Sequence, residues 1–230
     1  MQPVQLPLGI RLREDATFEG YYPGPNHEAV EVLRAGTKGP GATPVYLWGA
    51  KGTGKSHLLQ AACQVMGEQG APAAYLPLAE LPAPDVLEGM ENVPLVCLDA
   101  LECVAGREEW EEVIFHLFNR VLDAGGRLLI AARARPGELG LCLPDLVSRL
   151  GWGVMLRLQP LDDEEKVAAL ALHAQRRGLA LPAEVGRYLI RRESRDLPAL
   201  IGLLDRLDLA SMAAQRRLTV PFVREVLETG

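Results

Sequence analysis

Residues 49–56 read Gly-Ala-Lys-Gly-Thr-Gly-Lys-Ser, a complete match to the phosphate-binding loop pattern G-x-x-x-x-G-K-[ST]. This loop constrains the fold because it works between a buried strand and the start of a helix, where backbone N–H groups and the helix dipole meet a polyphosphate. An apolar run at 45–48 precedes it, and a helix-compatible run at 57–62 follows. The order strand, loop, helix favours a nucleotide-binding α/β domain over a simple glycine-rich turn.

The members of this segment have different expected tasks. Lys55 is expected to reach the β- and γ-phosphates, and the Ser56 hydroxyl is expected to hold Mg²⁺. The remaining candidate nucleotide-binding residues of the segment are Gly49, Ala50, Lys51, Gly52, Thr53, Gly54 and His57.

Short apolar runs alternate with helical stretches through the first two thirds of the chain. The predicted strands are 45–48, 73–78, 95–98, 128–132 and 154–158. This alternation predicts a parallel five-stranded sheet covered by helices on both faces. A helix is predicted over 108–124, because apolar residues recur there at helical spacing and two glycines follow.

The pattern changes after residue 160 and becomes helical. Acidic residues at 162–165 open the first helix, and a weak strand signal stands at 218–220. Apolar residues recur at helical spacing in 167–173, 185–190, 197–209 and 222–227. The sequence therefore predicts a tail over 1–12, an α/β nucleotide-binding domain over 13–160 and a small helical lid over 161–230.

Composition limits the classes of partner and the cellular compartment that the sequence predicts. The formal net charge of −6 argues against a surface that coats DNA generally. The four cysteines form no C-x-x-C pair, which favours the reducing cytosol over a disulfide framework or a zinc site. No stretch approaches the ~20 apolar residues that would span a bilayer, and no signal peptide is recognised.

A second nucleotide motif follows the predicted strand at 95–98, which ends in Asp99. A carboxylate in this place is expected to act on Mg²⁺, although Asp99 could also cap the next helix. Hydrolysis also needs a group that orients or deprotonates the attacking water. The next residue is Ala100, which can do neither, and whether Glu102 substitutes for it stays open at this point.

Together, the phosphate loop, the strand-terminal Asp99 and the helical region resemble the AAA+ ATPase superfamily. Within it, the chain is similar to the Hda family, DnaA-related regulatory inactivators of the replication initiator DnaA. The similarity is carried by residues 15–18, 22–26, 98–99, 101–103, 105–106, 114–115, 118–120, 143–146, 148–150, 152–153, 158–161 and 218–223.

This resemblance implies further site residues. Tyr22, Pro23 and Asn26 are expected near the base or ribose of ADP or ATP. Arg195 matches a sensor arginine that reaches the chain's own phosphates. Arg149 matches an arginine finger, which would enter the nucleotide site of a neighbouring protomer.

The resemblance also gives the tail a partner. Gln5, Leu6, Leu8 and Ile10 match the short motif with which the family docks on the sliding clamp, the β subunit of DNA polymerase III; Pro7 and Gly9 depart from it. An extended peptide with apolar anchors suits such a groove. The alternative is a disordered N-terminus with incidental leucines.

One segment departs from the family, which tends to place a small polar residue and an acid after the fourth strand. Here the residues are Ala131, Ala132 and Arg133. Ala131 has no polar side chain to offer a water or a phosphate. Together with Ala100, this departure predicts that nucleotide binding is kept while turnover is weak or absent.

The expected function is negative regulation of replication initiation. The protein would dock on the DNA-loaded clamp, contact DNA mainly through it, and stimulate hydrolysis of DnaA-bound ATP through Arg149. Its expected location is the cytoplasm, at the nucleoid through the clamp, and a homo-oligomer stays open. One alternative is an autonomous AAA+ ATPase such as a helicase loader. Another is a DNA-binding initiator paralogue, which the acidic charge and the chain's end soon after the lid disfavour.

Overall fold

The computed structural model describes residues 12–37, 43–192 and 196–229. The chain divides into two compact units. Of the described residues, the first unit contains those in 12–21 and 26–159, and the second contains those in 22–25 and 160–229. Residues 22–25, which the sequence analysis placed in the α/β domain, belong to the helical unit. Gly24 lies so close to its neighbours there that an added Cβ would stand 2.6 Å from Leu161 Cδ2.

The first unit is built on a five-stranded parallel sheet with the order β2-β3-β4-β1-β5. The strands are β1 Val45–Trp48, β2 Ala73–Pro77, β3 Leu95–Asp99, β4 Arg127–Ala132 and β5 Val154–Arg157. All four neighbouring pairs are parallel, so the carboxyl ends of the strands share one edge of the sheet. The predicted five-stranded parallel sheet is confirmed.

Among the described residues, four α-helices flank this sheet: α1 His27–Gly36, α2 Lys55–Glu68, α3 Glu108–Asp123 and α4 Pro144–Leu150. Short 3₁₀ helices cover Phe18–Gly20, Gly24–Asn26, Pro84–Leu87, Met90–Asn92, Leu101–Cys103 and Pro136–Glu138. The predicted helix over 108–124 corresponds to α3.

Buried apolar residues lie on both faces of the sheet, because successive strand residues point to opposite sides. One cluster joins Leu47 of β1 to Leu58 and Leu59 of α2. The other joins Tyr46 of β1 to Trp110 and Ile114 of α3. The strand that leads to the phosphate loop is thus fixed from both sides.

The second unit contains four α-helices within its described residues: α5 Asp163–Arg176, α6 Ala183–Arg192, α7 Leu197–Ala214 and α8 Val220–Thr229. Its first helix begins with a capping box, in which Asp162 and Glu165 each accept a backbone N–H of the other. The strand signal at 218–220 was wrong, because Leu218 is buried in the helical core and α8 already begins at Val220. The predicted helical lid is confirmed.

Several predicted site residues lie outside the described residues, namely Gln5, Leu6, Leu8, Ile10 and Arg195. Their assigned roles stay predictions. Within the described ranges, no helix is both long and apolar enough to cross a membrane.

Candidate nucleotide-binding site

The phosphate loop lies between the last residue of β1, Trp48, and the first residue of α2, Lys55. Two of its glycines are required by their surroundings. Gly54 has φ +88°, and an added Cβ would stand 2.5 Å from the ring of Tyr21. At Gly49 a Cβ would stand 2.4 Å from the carbonyl oxygen of Leu158. Any side chain at these two positions would displace its neighbours or strain the loop.

Lys55 is held inside the curve of the loop. Its Nζ donates to the carbonyl oxygens of Gly49 at 2.7 Å and Ala50 at 2.9 Å. Burial lowers the pKa of Lys55, while the carboxylates of Glu102 and Asp99 act in the opposite direction. The amine is therefore a largely buried cation at the centre of the loop, where a polyphosphate charge would be stabilised.

The two expected Mg²⁺ ligands are connected through one tyrosine. The Tyr75 hydroxyl donates to Asp99 Oδ2 at 2.6 Å. Burial and the neighbouring Asp99 raise the pKa of Tyr75, whereas hydrogen bonds to Gln60 and Ser56 lower it. Ser56 and Asp99 thus share a neighbour, which places a hydroxyl and a carboxylate at the same end of the loop.

This donor set fits Mg²⁺, a hard cation that takes oxygen ligands and is commonly held by one or two protein groups together with substrate phosphates and water. Within the described residues, no group of three or more His, Cys, Asp or Glu could hold a metal alone. Ser56 and Asp99 would hold the ion only in company with a nucleotide.

A second set of contacts supports the loop from the N-terminal segment. The Tyr21 hydroxyl donates to the Thr53 carbonyl at 3.0 Å, and burial raises the pKa of Tyr21 to about 12. The His57 ring Nε2 lies 2.7 Å from the Thr17 carbonyl oxygen. The sequence analysis did not include Tyr21 among the site residues. Its position next to Tyr22, a predicted nucleotide-pocket residue, could have indicated it.

Asn26 is buried, and its amide is engaged with backbone. Its Oδ1 accepts from the Gln159 N–H at 2.7 Å, and its Nδ2 donates to the Gln159 carbonyl at 3.0 Å. The structure thus gives Asn26 a role in fixing the chain between β5 and the lid. The assignment of Tyr22, Pro23 and Asn26 to the base or ribose stays a prediction.

The structure describes both alanines that replace expected catalytic polar residues. Ala100 has a left-handed backbone with φ 60° and leads into the 3₁₀ helix Leu101–Cys103. Ala131 is fully buried in the apolar cluster on the α2 side. A carboxylate is nevertheless present nearby, because Glu102 forms an ion pair with Arg133 just beyond β4, with Nε and Oε1 2.9 Å apart.

Arg149 lies in the last turn of α4, whose inward residues Leu146 and Leu150 are buried. The Arg149 side chain is exposed, and no ion pair within the described residues involves it. The helix thus anchors its backbone and leaves the guanidinium free for a partner.

The position of α4 depends on a residue that sequence reasoning missed. Glu111 of α3 is completely buried, and its carboxylate accepts three backbone N–H groups. The donors are Gly106 at 2.7 Å, Cys142 at 3.1 Å and Leu143 at 2.7 Å. Leu143 directly precedes α4, so Glu111 ties this helix to α3. The available signal was an acid three residues before Ile114, on the apolar face of the predicted helix.

Trp48 lies beside two arginines where β1 enters the loop. The guanidinium carbons of Arg135 and Arg157 are 4.9 Å and 5.1 Å from the centre of the indole ring. Such distances allow cation–π attraction. The indole therefore links the carboxyl ends of β1 and β5 to the segment that follows β4.

Comparison with known proteins agrees with this arrangement. Residues 83–157 match the family model of the bacterial DnaA ATPase domain. Residues 163–227 match the model of the Hda lid domain.

Solved structures show the same fold. Domain III of DnaA from Thermotoga maritima superposes with a TM-score of 0.81 at 24% identity, over 96% of this chain and 98% of that chain. AMPPCP-bound DnaA from Aquifex aeolicus gives a TM-score of 0.72 at 26% identity, over 85% of this chain and 67% of that chain. RuvB from Thermotoga maritima shares the fold at 18% identity, with a TM-score of 0.65 over 88% of this chain and 67% of that chain.

The parallel sheet, the phosphate loop at the end of β1 and the helical lid, together with the match to the DnaA ATPase domain, define an AAA+ protein. Together, the two family models and the similar DnaA structures support a DnaA-related, Hda-like protein.

Proposed function

We propose that this protein is a negative regulator of replication initiation that supplies Arg149 to the nucleotide site of DnaA. DnaA then hydrolyses its bound ATP, and the regulator itself carries ADP or ATP with Mg²⁺. The observation that carries this proposal is the combination of a complete phosphate loop, alanines at positions 100 and 131, and an exposed arginine without an ion pair in the described residues.

The geometry of the loop supports nucleotide binding. Lys55 lies at its centre, and Ser56 and Asp99 are connected through Tyr75. The similar DnaA structure that holds AMPPCP supports the same assignment at the level of the family. Bound nucleotide would serve to hold the protein in its working form, because Ala100 and Ala131 provide no group for activating water.

The chemistry of Arg149 suits a role in a partner's site. A guanidinium is always charged and presents a planar fork of donors, which can bridge two phosphate oxygens as negative charge develops. In well-studied GTPases, such a group supplied in trans accelerates hydrolysis by about 10³–10⁵. The buried contacts of α4 and Glu111 would hold the backbone of Arg149 rigid while its side chain reaches outward.

The partners follow from the family and from the tail motif. DnaA is the proposed target, since both family models belong to the DnaA branch. Gln5, Leu6, Leu8 and Ile10 are proposed to dock on the sliding clamp, which would place the protein on DNA without a DNA-binding surface of its own. Whether copies of this chain also assemble with one another stays open.

The decisive experiment measures loss of DnaA-bound ATP in the presence of loaded clamp and DNA. Arg149→Ala should abolish the stimulation and leave clamp binding and ADP affinity at wild-type levels. Arg149→Lys should restore little, because an ammonium is a point charge without the planar fork. Arg206→Ala, which removes an exposed arginine from α7, is the matched control and should retain full stimulation. Undiminished ATP loss with Arg149→Ala would refute the proposal.

A further inference from the structure

The carboxyl ends of three neighbouring strands meet beside the phosphate loop. Asp99 ends β3, Ala132 ends β4 and Trp48 ends β1. The N–H of Gly49, the first loop residue, donates to the Ala132 carbonyl at 3.2 Å. Arg133, the next residue along the chain, therefore emerges directly at the loop.

Glu102 reaches the same place from the end of β3. The left-handed backbone of Ala100 turns the chain into the 3₁₀ helix Leu101–Cys103, so Glu102 does not continue along the strand. Its Oε1 lies 2.9 Å from Arg133 Nε, and its Oε2 accepts the Arg133 backbone N–H at 3.1 Å. Both carboxylate oxygens are thus occupied by one residue.

The Glu102 carboxylate also acts on the centre of the loop. Among the charges that influence Lys55, Glu102 raises the pKa of the amine more strongly than Asp99 does. It also contributes to the raised pKa of Tyr46, which lies on β1. Ala100 has no carboxylate, but the carboxylate of Glu102, two residues later, provides a negative charge near the loop.

ATP hydrolysis in such a site is accelerated by a side chain that orients the attacking water or accepts its proton, and a carboxylate can do both. Glu102 and Asp99 both act on Lys55 of the loop, but Asp99 is engaged by Tyr75 and is assigned to Mg²⁺, so Glu102 is the candidate base. A carboxylate that is paired with a guanidinium and accepts a backbone N–H is a weaker base, because these contacts stabilise its charged form.

We propose that Glu102 is the water-activating carboxylate of a latent ATPase site, and that the Arg133 guanidinium keeps this site inactive by pairing with Glu102 Oε1. On release, water attacks the γ-phosphorus and the bond to the β–γ bridging oxygen breaks. ADP departs as the leaving group, and the water proton passes to Glu102 and then to phosphate. This inference rests on nucleotide binding at the proposed site but not on the clamp or on DnaA.

The test is phosphate release by the isolated protein with Mg²⁺ and ATP. Wild type should stay near background, whereas Arg133→Ala should turn over roughly tenfold faster or more, within the usual contribution of a general base. The double variant Arg133→Ala with Glu102→Gln should return to background. Arg120→Ala removes an exposed arginine of α3 that pairs with Glu91 instead of Glu102, and it should behave like wild type.

Calorimetric titration of every variant with ADP distinguishes a failure of the nucleotide-site assignment from a failure of the Glu102 proposal. Absence of ADP binding by wild type would refute the proposed nucleotide site itself. If Arg133→Ala binds ADP normally but releases phosphate only at background rate, Glu102 is not a latent base. The same conclusion follows if the faster phosphate release of Arg133→Ala persists in the double variant. Arg133→Gln, which keeps more of the side-chain volume, serves as a second release variant. Loss of ADP binding in both Arg133 variants would assign this residue a structural role and would also overturn the proposal.

Discussion

At the scale of single residues, Lys55 is the side chain on which nucleotide affinity depends most. It is 8% exposed, and its two hydrogen bonds to loop carbonyls direct the amine into the curve of the loop. Lys51 is an exposed cation in the same loop and provides the natural comparison.

Lys55→Ala should lower ADP affinity roughly tenfold to hundredfold, since hydrogen bonds to charged groups contribute about 1.5–3 kcal/mol. Lys51→Ala should change ADP affinity by much less, because that side chain has its charge in solvent. Isothermal titration calorimetry measures both. Equal ADP affinity in wild type and Lys55→Ala would remove the phosphate role from this loop.

The loop was predictable from sequence because all of its functional groups are contiguous in the chain. The groups that surround it were not, because they meet only after folding. Glu102 and Arg133 are 31 positions apart, and so are Glu111 and Cys142. No local sequence pattern predicts such pairs. A charged residue on the apolar face of a predicted helix, such as Glu111, does indicate a buried polar contact.

At the scale of secondary structure elements, α4 is short and depends on its attachment to α3. Seven residues provide few internal hydrogen bonds, so the helix needs tertiary contacts to persist. The buried carboxylate of Glu111 provides one such contact through the N–H of Leu143.

Glu111→Gln should destabilise the protein by about 2 kcal/mol, because an amide has one acceptor oxygen and its NH₂ group would face a buried backbone donor. The change should also weaken the stimulation assigned to Arg149 while sparing ADP affinity. Urea unfolding followed by circular dichroism measures the stability. Glu112→Gln, the neighbouring exposed position, should stay within about 0.5 kcal/mol of wild type. Equal stability of the two variants would contradict this account.

The strands were predicted to within a residue or so at most ends, because parallel strands buried on both faces form continuous apolar runs. β5 is an edge strand with Val154 and Met155 exposed, yet its apolar character still made it visible in the sequence. The 3₁₀ helix Leu101–Cys103 was missed, because its direction is set by the unusual backbone of Ala100 and its contacts are nonlocal. Residues 22–25 group with the helical unit in the structure, and Gly24 lies beside Leu161, a neighbour that no local pattern indicates.

At the scale of the whole molecule, the proposed tasks are assigned to separate regions. The tail is assigned to the clamp, the α/β unit to nucleotide and to Arg149, and the lid to the sensor Arg195. The clamp motif of the tail and Arg195 lie outside the described residues, so these assignments rest on sequence.

Replacing Gln5 and Leu8 together by Ala should abolish co-migration with the clamp in gel filtration, because it removes the directional amide and one apolar anchor. ADP affinity and thermal stability should be unchanged, since the motif precedes the predicted domain at 13–160. Gln2→Ala, an amide change outside the motif, should leave clamp binding intact. Continued co-migration of the double variant would exclude the tail as the docking site.

The placement of Trp48 gives the molecule an optical property. Its three tryptophans lie in three environments: Trp110 is fully buried, Trp152 is 65% exposed, and Trp48 contacts two arginines at the entrance to the phosphate loop. Indole emission responds to nearby charge and to solvent, and among the three only Trp48 adjoins the first loop residue. With Trp152 replaced by Phe, the fluorescence spectrum would combine a constant emission from Trp110 in the core with a nucleotide-dependent emission from Trp48. Nucleotide exchange could then be followed in real time without a dye, on the unlabelled protein.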